Sequence, residues 1–224
     1  MNVVTQIDDQ VSVKHVLISV SDKSGLETFV PRLVEIKPDI RFFSTGGTFA
    51  RLKEILGDRA GDCLTQVSDY TGQPETQGGL VKTLDFKIYL GLLTETYNDA
   101  HQSDLKRTKA VPIDMVIVNL YPFKQTIAKS GVTPEQAGGN IAIGGPWMIR
   151  ASAKNCIRVA SVVDPDDYDQ IADEMDANGG NITLAQRYRL ARKAFAHTAD
   201  YDTAIAGYLA ETIFKAVENE YELN

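Results

Sequence analysis

Two segments carry residue types suited to binding a phosphate group, and each lies where a predicted strand gives way to a predicted helix. The first, SVSDK at residues 19–23, ends with Lys23, and the second, STGGT, covers residues 44–48. The first amide groups of a helix lack acceptors, and the helix dipole favours an anion beside them. Glycine lets the backbone approach a phosphate closely, hydroxyl groups add donors, and a lysine adds positive charge. The two segments therefore predict an anion site at one edge of a sheet.

Each of these segments also has an ordinary structural interpretation. STGGT is equally typical of a strand-to-helix turn with an N-cap. In SVSDK, Asp22 is a suitable helix cap and Lys23 a suitable solvated lysine. Neither segment is a P-loop or the glycine motif of dinucleotide-binding folds. On the residues alone, both interpretations stay open.

Two further lysines follow glycine pairs, which makes them candidates for proton transfer. Lys82 comes after Gly78-Gly79, and Lys154 comes after Gly144-Gly145 across a short predicted helix. A partly buried lysine can have a lowered pKa and act as an acid or a base, although a lone lysine is usually a surface residue. No spacing typical of a metal site or a catalytic dyad relates the three histidines, His15, His101 and His197.

Composition indicates a globular protein with no general affinity for polyanions. Of the 224 residues, 30 are acidic and 23 are basic, which gives a formal net charge of −7 and a pI near 5.0. This balance argues against nucleic-acid and acidic-membrane binding. The apolar runs are too short for a membrane helix, and the N-terminus lacks the apolar segment of an export signal. We therefore expect a cytoplasmic protein, with Cys63 and Cys156 as reduced core residues.

Strand and helix patterns alternate along the chain, which predicts a mostly parallel sheet with helices on both faces. Apolar runs predict five strands, at residues 15–20, 40–44, 63–67, 114–120 and 158–163. Helical spacing predicts helices at residues 24–35, after Gly47 and at 165–177. Between the third and fourth strands, residues 68–83 are polar, glycine-rich and without periodicity, which is typical of a functional loop.

The two ends of the chain differ in character from this α/β region. Residues 1–13 form a polar lead-in, and residues 14–224 are predicted to be a single domain. The segment TPEQ at residues 133–136 predicts the start of a helix, with Thr133 as its N-cap and Pro134 at the first helical position. Residues 183–217 predict a long helical C-terminal part rich in alanine, with a break near residues 198–200.

Eight motifs occur in one order along residues 14–209 and together resemble a known family. They are ISVSDKSG, STGGT, VSDYTGQPE, GGLVKTL, VNLYPF, NIAIGGP, RASAKN and KAFAHTADYD. This series is similar to the IMP cyclohydrolase domain of the bifunctional enzyme AICAR transformylase/IMP cyclohydrolase. The resemblance implies a methylglyoxal-synthase-like fold and the absence of the transformylase domain from this chain. It also implies a homodimer and a separate transformylase chain as partners.

The resemblance implies ring closure of a purine precursor. In this family, the carboxamide nitrogen of the 5-formamido ribonucleotide FAICAR attacks its own formyl carbon, and water is lost to give IMP. The reaction is intramolecular, needs no cofactor or metal, and draws much of its rate from orientation. Proton transfer and stabilisation of the oxyanion are what remain for the protein to supply.

The family's site residues map onto specific positions of this chain. The catalytic groups map to Lys82, Tyr121 and Lys154, with Lys154 expected to move the proton. The phosphate cradle maps to Ser21, Asp22, Lys23, Thr45, Gly46, Gly47 and Thr48. The remaining substrate-binding positions map to Val81, Thr83, Val118, Asn119, Ile143 and Gly144.

This chain departs from the family's motifs at positions that matter for the chemistry. Ala142 stands where the family has an acid, and Leu80 stands where it has an arginine. Neither side chain can take a proton or form a charged hydrogen bond. Asp85 replaces a histidine. Its carboxylate could substitute for the acid that is missing at position 142, if the loop at residues 68–83 is rearranged. Trp147 replaces a small residue and could fill the floor of the pocket.

Three functions follow from these matches and departures. The first is an IMP cyclohydrolase, favoured by the retained motifs. The second is a catalytically weakened homologue that binds a purine nucleotide or precursor as a sensor or assembly subunit, favoured by Ala142 and Leu80. The third and least supported is a lyase of the methylglyoxal-synthase type that acts on a small phosphate.

Overall fold

The computed structural model describes residues 3–73 and 83–222, and its centre is a five-stranded parallel sheet. After a short first strand, β1 (Gln10–Ser12), the sheet strands are β2 (His15–Val20), β3 (Arg41–Ser44), β4 (Leu64–Gln66), β5 (Met115–Asn119) and β6 (Ala160–Val162). Their order across the sheet is β4-β3-β2-β5-β6, and every neighbouring pair is parallel. All five predicted strands of the sheet are confirmed.

Helices cover both faces of the sheet, as predicted. The first six are α1 (Leu26–Ile36), α2 (Gly46–Leu56), α3 (Ala60–Cys63), α4 (Val67–Thr71), α5 (Phe86–Leu93) and α6 (Asp99–Thr108). The others are α7 (Phe123–Ile127), α8 (Pro134–Gly139), α9 (Gly144–Lys154), α10 (Tyr168–Ala177), α11 (Leu184–Glu211) and α12 (Phe214–Glu218). Helices α1, α2 and α10 pack on one face, and α5, α9 and most of α11 pack on the other.

Strand β2 shows why the central strands are continuous apolar runs. Val16, Ile18 and Val20 enter the core beneath α1, α2 and α10. Leu17 points to the opposite face, where it joins the core beneath α5 and α9. A strand covered on both sides needs apolar residues at successive positions, because successive side chains point to opposite faces.

Three helices between β4 and β5 have no counterpart in the sequence-based prediction, and the first, α4, occupies the start of the predicted loop at residues 68–83. Helix α5 lies against the core through Ile88, Gly91 and Leu92. Helix α6 buries a single residue, Leu105, so it has no apolar stripe for a helical pattern to reveal. The side chain of Asn98 accepts a hydrogen bond from the amide of His101 (3.2 Å) and caps α6.

The long C-terminal helix is continuous where a break had been predicted. Helix α11 runs from Leu184 to Glu211, so the predicted break near residues 198–200 is wrong. Residues 198–200 contain no glycine or proline, and the hydroxyl of Thr198 donates back to the carbonyl of Phe195 (3.1 Å). The helix ends instead at Thr212, before α12.

The N-terminal lead-in is partly structured. Strand β1 pairs antiparallel with β7 (Asn181–Thr183), just before α11. The fully buried Arg187 of α11 holds this region through its guanidinium group, which donates to the carbonyls of Asp8, Asp9, Cys156, Ile157 and Ile182. Only Ile182 is buried among the residues of β1 and β7, so neither strand has the apolar run by which the strands of the main sheet are recognised.

The sequence predicted two reduced, buried cysteines and no membrane-spanning helix. Cys63 and Cys156 are both free thiols, but only Cys63 is buried in the core, while Cys156 is half-buried. Within the described ranges, no helix is both long and apolar enough to cross a membrane.

Candidate functional site

The carboxyl ends of β3, β2 and β5 lie side by side, because these three strands are parallel neighbours. This topology gathers residues 21–23, residues 45–48 and Asn119 at one edge of the sheet, as the sequence predicted. Ligands of open α/β sheets bind at this edge.

Asn119 shapes the loop after β2 from the end of the neighbouring strand. Its Oδ1 accepts hydrogen bonds from the amides of Ser21 (2.7 Å) and Asp22 (2.9 Å). Its Nδ2 donates to the carbonyl of Asp22 (2.8 Å). The side chain is thus committed to the backbone of the loop, which gives Asn119 a positioning role beside the one predicted for it as a substrate contact.

Asp22 closes the same loop onto the start of α1. Its Oδ1 accepts hydrogen bonds from the hydroxyl (2.6 Å) and the amide (2.9 Å) of Ser24. These bonds, helped by the charge of Lys23, lower the pKa of the Asp22 carboxyl and outweigh the effect of burial. The N-cap of α1 is Gly25 and no side chain caps this helix, so Asp22 orders the loop before α1 and the interpretation of Asp22 as a helix cap is wrong.

Lys23 lies beside the N-terminus of α2. Its Nζ donates to the carbonyl of Ser21 (3.4 Å) and lies 4.0 Å from the point where a Cβ on Gly47 would stand. Thr45 is the N-cap of α2 but makes no side-chain capping bond, and Gly46 and Gly47 are exposed. The ammonium group and the first amides of α2 therefore border one space suited to an anion, and Thr45 stands at the start of this helix.

Two predicted substrate-binding side chains serve the packing of the edge. The buried hydroxyl of Thr48 donates to the carbonyl of Val20 (3.0 Å) and accepts from the amide of the same residue (3.1 Å). Val118 is almost fully buried, with its side chain in the core. The Thr48 hydroxyl thus links α2 to β2. The side chain of Val118 is in the core, so only its backbone can face a ligand at the sheet edge.

The N-terminus of α9 meets the same edge through two glycines that allow close approach. A Cβ on Gly145 would lie 2.5 Å from the Leu120 side chain, and one on Gly144 would lie 2.7 Å from Oγ1 of Thr83. Ile143 precedes them as the N-cap, with its side chain exposed. A larger residue at Gly145 would push α9 away from the end of β5, and one at Gly144 would collide with Thr83, so the pair allows the first turn of the helix to lie at the sheet edge.

A cavity of about 680 Å³ runs along the outer face of α9, between α5 and α11. Ala142 and Ile143 line it near the start of the helix, and Lys154 lines it at the end. The other lining residues are mostly apolar: Tyr89, Leu93, Ile141, Pro146, Trp147, Arg150, Ala151, Phe195, Asp202 and Ile205. Its size and apolar character are typical of a ligand site.

The predicted catalytic residues are not gathered at one point by the described structure. Lys154 is the last residue of α9 and Gly144 the first, about 15 Å apart at the usual rise of a helix. Tyr121 follows β5 with its side chain 54% exposed. Lys82 and Val81 lie outside the described residues, as does Leu80.

Two of the substitutions noted in the sequence have clear structural settings. Asp85 is buried and caps α5, with its Oδ1 accepting from the amide of Lys87 (2.7 Å). This capping bond occupies the carboxylate that was expected to compensate for Ala142. Trp147 does not fill a buried floor, since 60% of its surface is exposed and its ring packs edge-on against Tyr89 at a centroid distance of 6.3 Å.

Metal-binding side chains do not cluster in the part of the chain that the structure describes, where no three His, Cys, Asp or Glu residues are grouped to hold an ion. His197 is half-buried, and burial lowers the pKa of its imidazole. The Nε2 atom of this ring has no hydrogen-bond partner among the described residues.

Family models match most of the chain in two adjacent blocks. Residues 25–147, more than half of the chain, match the model described as an MGS-like domain. The chain belongs to the MGS-like domain family. Residues 152–224 match the model described as the AICARFT/IMPCHase bienzyme, so the resemblance drawn from the eight motifs is confirmed.

Curated relatives of this MGS-like chain carry the name "Bifunctional purine biosynthesis protein PurH". The protein from Synechococcus sp. (strain CC9605) is 47% identical over 87% of this chain, and the one from Ruminiclostridium cellulolyticum is 46% identical over 90%. The chain spans only 36% and 38% of the length of these two relatives.

A solved structure titled "Crystal structure of ForH" has the same fold. It superposes with a TM-score of 0.74 at 29% identity, over 87% of this chain and 98% of its own.

Proposed function

We propose that this protein closes FAICAR to IMP, with loss of water. The observation that carries the proposal is the grouping of Lys23, Thr45 and the first amides of α2 at the carboxyl edge of the sheet. That grouping suits the phosphate of a nucleotide. The PurH relatives, named for purine biosynthesis, support the choice of a purine nucleotide.

The proposed reaction asks little of the protein beyond holding the substrate. The carboxamide nitrogen forms a C–N bond to the formyl carbon of the same molecule, and the formyl oxygen leaves as water. Orientation of the two groups by a fixed phosphate and base supplies much of the rate. The free amides of Gly144 and Gly145 at the start of α9 are suited to stabilising the oxyanion that forms on the formyl oxygen.

Proton transfer in this proposal falls to Lys82, Tyr121 and Lys154. Tyr121 is exposed at the same sheet edge, directly after β5. Lys154 faces the cavity that also contains Ala142, so a ring bound along this cavity would lie between the lysine and the start of α9.

A second function, nucleotide binding without efficient turnover, is supported by different observations. Ala142 cannot exchange a proton, and the carboxylate of Asp85 is bonded to a backbone amide. Lys154 lies about 15 Å along α9 from Gly144. The cradle would still hold a phosphate under this alternative, and turnover would be absent.

An absorbance assay of IMP formation from FAICAR separates the two functions. Turnover well above the spontaneous rate supports the cyclohydrolase. If calorimetry shows IMP binding while no turnover occurs at high protein concentration, the sensor or assembly subunit replaces it. Neither binding nor turnover would reject both.

Lys23→Ala is expected to weaken IMP binding by about 1–3 kcal/mol, or about 5- to 150-fold, which is the cost of a lost charged hydrogen bond. Isothermal titration calorimetry measures the change. Lys53→Ala is the matched control, because Lys53 is an exposed lysine in the last turn of α2, at the other end of this helix from the cradle. Equal affinities for the wild type and the Lys23 variant would contradict the proposed cradle.

The assembly implied by the family also remains a proposal. We place the protein in the cytoplasm as a homodimer. Sedimentation velocity tests the dimer, since a monomer at micromolar concentration would contradict it.

A further inference from the structure

Tyr201 of α11 reaches the segment that leads into α9. Its side chain is almost fully buried, and its hydroxyl accepts a hydrogen bond from the amide of Ala142 (2.9 Å). The same hydroxyl donates to the carbonyl of Asn140 (3.2 Å). Its ring packs edge-on against Phe123, with a centroid distance of 6.2 Å. The position of the hydroxyl is therefore set by packing on its own helix and on α7.

The segment at residues 140–143 makes few other hydrogen bonds. The amides of Asn140 (3.1 Å) and Ile141 (3.0 Å) donate to carbonyls of α8, and the Asn140 side chain does the same (2.9 Å). These bonds join the segment only to the short helix before it. Among the described residues, the two bonds of Tyr201 are the hydrogen bonds that connect it to an element other than α8 and α9.

The direction of the first turn of α9 depends on this segment. Ala142 and the N-cap Ile143 immediately precede Gly144 and Gly145, the glycines that meet the sheet edge. A glycine pair has no side chains to hold its own backbone direction, so an outside contact is needed to fix it. The Tyr201 hydroxyl supplies that contact two residues before Gly144, at the amide of Ala142, and four residues before it, at the carbonyl of Asn140.

We propose that Tyr201 is a positioning residue that directs the amides of Gly144 and Gly145 toward the substrate. The inference rests on the proposed function, in which these amides stabilise the oxyanion. Tyr201 does not itself contact the substrate, because both hydrogen bonds of its hydroxyl go to the backbone and its ring is buried.

The experiment compares Tyr201→Phe with Tyr208→Phe. Both tyrosines lie on α11, and both rings pack edge-on against Phe123, at 6.2 and 5.8 Å. The hydroxyl of Tyr208 makes no hydrogen bond among the described residues. The control variant Tyr208→Phe therefore removes a hydroxyl group without breaking a hydrogen bond. Amide hydrogen exchange at residues 142–145 and the kinetics of FAICAR cyclisation are measured for both variants.

In Tyr201→Phe we expect faster amide exchange at Ala142 and a decrease in kcat of about tenfold, the size of one lost neutral hydrogen bond. KM is expected to stay within about twofold, because the phosphate cradle is untouched. Tyr208→Phe should change neither quantity. A general loss of stability would instead lower kcat in proportion to the unfolded fraction, and kcat would recover on cooling.

Two results overturn the inference. One is an unchanged exchange rate at Ala142 in Tyr201→Phe, and the other is rapid exchange at this amide already in the wild type. The exchange rate of the Ala142 amide in the wild type tests the inference even if the Tyr201→Phe variant does not fold. Absence of both IMP binding and turnover in the wild type would reject the proposed function, while the exchange data would still decide whether Tyr201 positions the start of α9.

Discussion

Ala142→Asp is expected to raise the rate of FAICAR cyclisation by about 10²- to 10⁴-fold, the usual contribution of an acid–base group. Ala142 and Lys154 line the same cavity, and the described lining contains one carboxylate, that of Asp202. A second carboxylate in this space would act on a ring bound between it and Lys154 rather than on the lysine itself, because the two ends of α9 are about 15 Å apart. It would also supply the acid that the cyclohydrolase motif has at this position.

The absorbance assay measures this change, with Ala142→Asn as the control of equal size and no charge. Leu80→Arg is the second restoring change, and a double mutant that differs from the sum of the singles would indicate that both side chains contact one substrate. A Trp147→Thr background tests whether the exposed indole obstructs the cavity. If these variants fold, bind IMP and still close no ring, the nucleotide-binding function replaces the enzyme.

Arg158→Met is expected to lower the free energy of unfolding by about 3–5 kcal/mol, because it leaves a buried carboxylate without its partner. Arg158 and Asp114 are both buried, with Nη1 and Oδ1 3.2 Å apart. The guanidinium also donates to the carbonyls of Gly91, Thr94 and Ile113. This one side chain therefore joins the segment before β6 to α5 and to the start of β5.

Chemical denaturation measures the loss, and Arg107→Met is the matched control. Arg107 pairs with Asp104 at 2.8 Å on the exposed side of α6, where an ion pair contributes less than about 1 kcal/mol. Asp114 also accepts hydrogen bonds from the amides of Lys14 and His15, at the opposite edge of the sheet from the cradle. IMP affinity of the folded variant should therefore be unchanged, and equal destabilisation by both substitutions would contradict the prediction.

The sheet and the site edge could be predicted from the sequence because their signals are local. Five apolar runs separated by helical patterns imply parallel strands, and parallel strands bring their carboxyl ends to one edge. Once the strands at residues 15–20 and 40–44 are recognised, Lys23 and the STGGT segment must be near that edge. The motifs also placed the chain in its family, since residue identities in a fixed order do not depend on packing.

The tertiary structure alone decided what individual side chains do at that edge. Asn119 and Ser21 are 98 positions apart, and Tyr201 and Ala142 are 59 apart, so no local pattern could pair them. Thr48 turned out to hold β2 with its hydroxyl, and Asp85 to cap a helix that the sequence pattern had not revealed. Hydrogen bonds of this kind depend on distance and direction in the packed fold, and residue type and spacing along the chain carry neither.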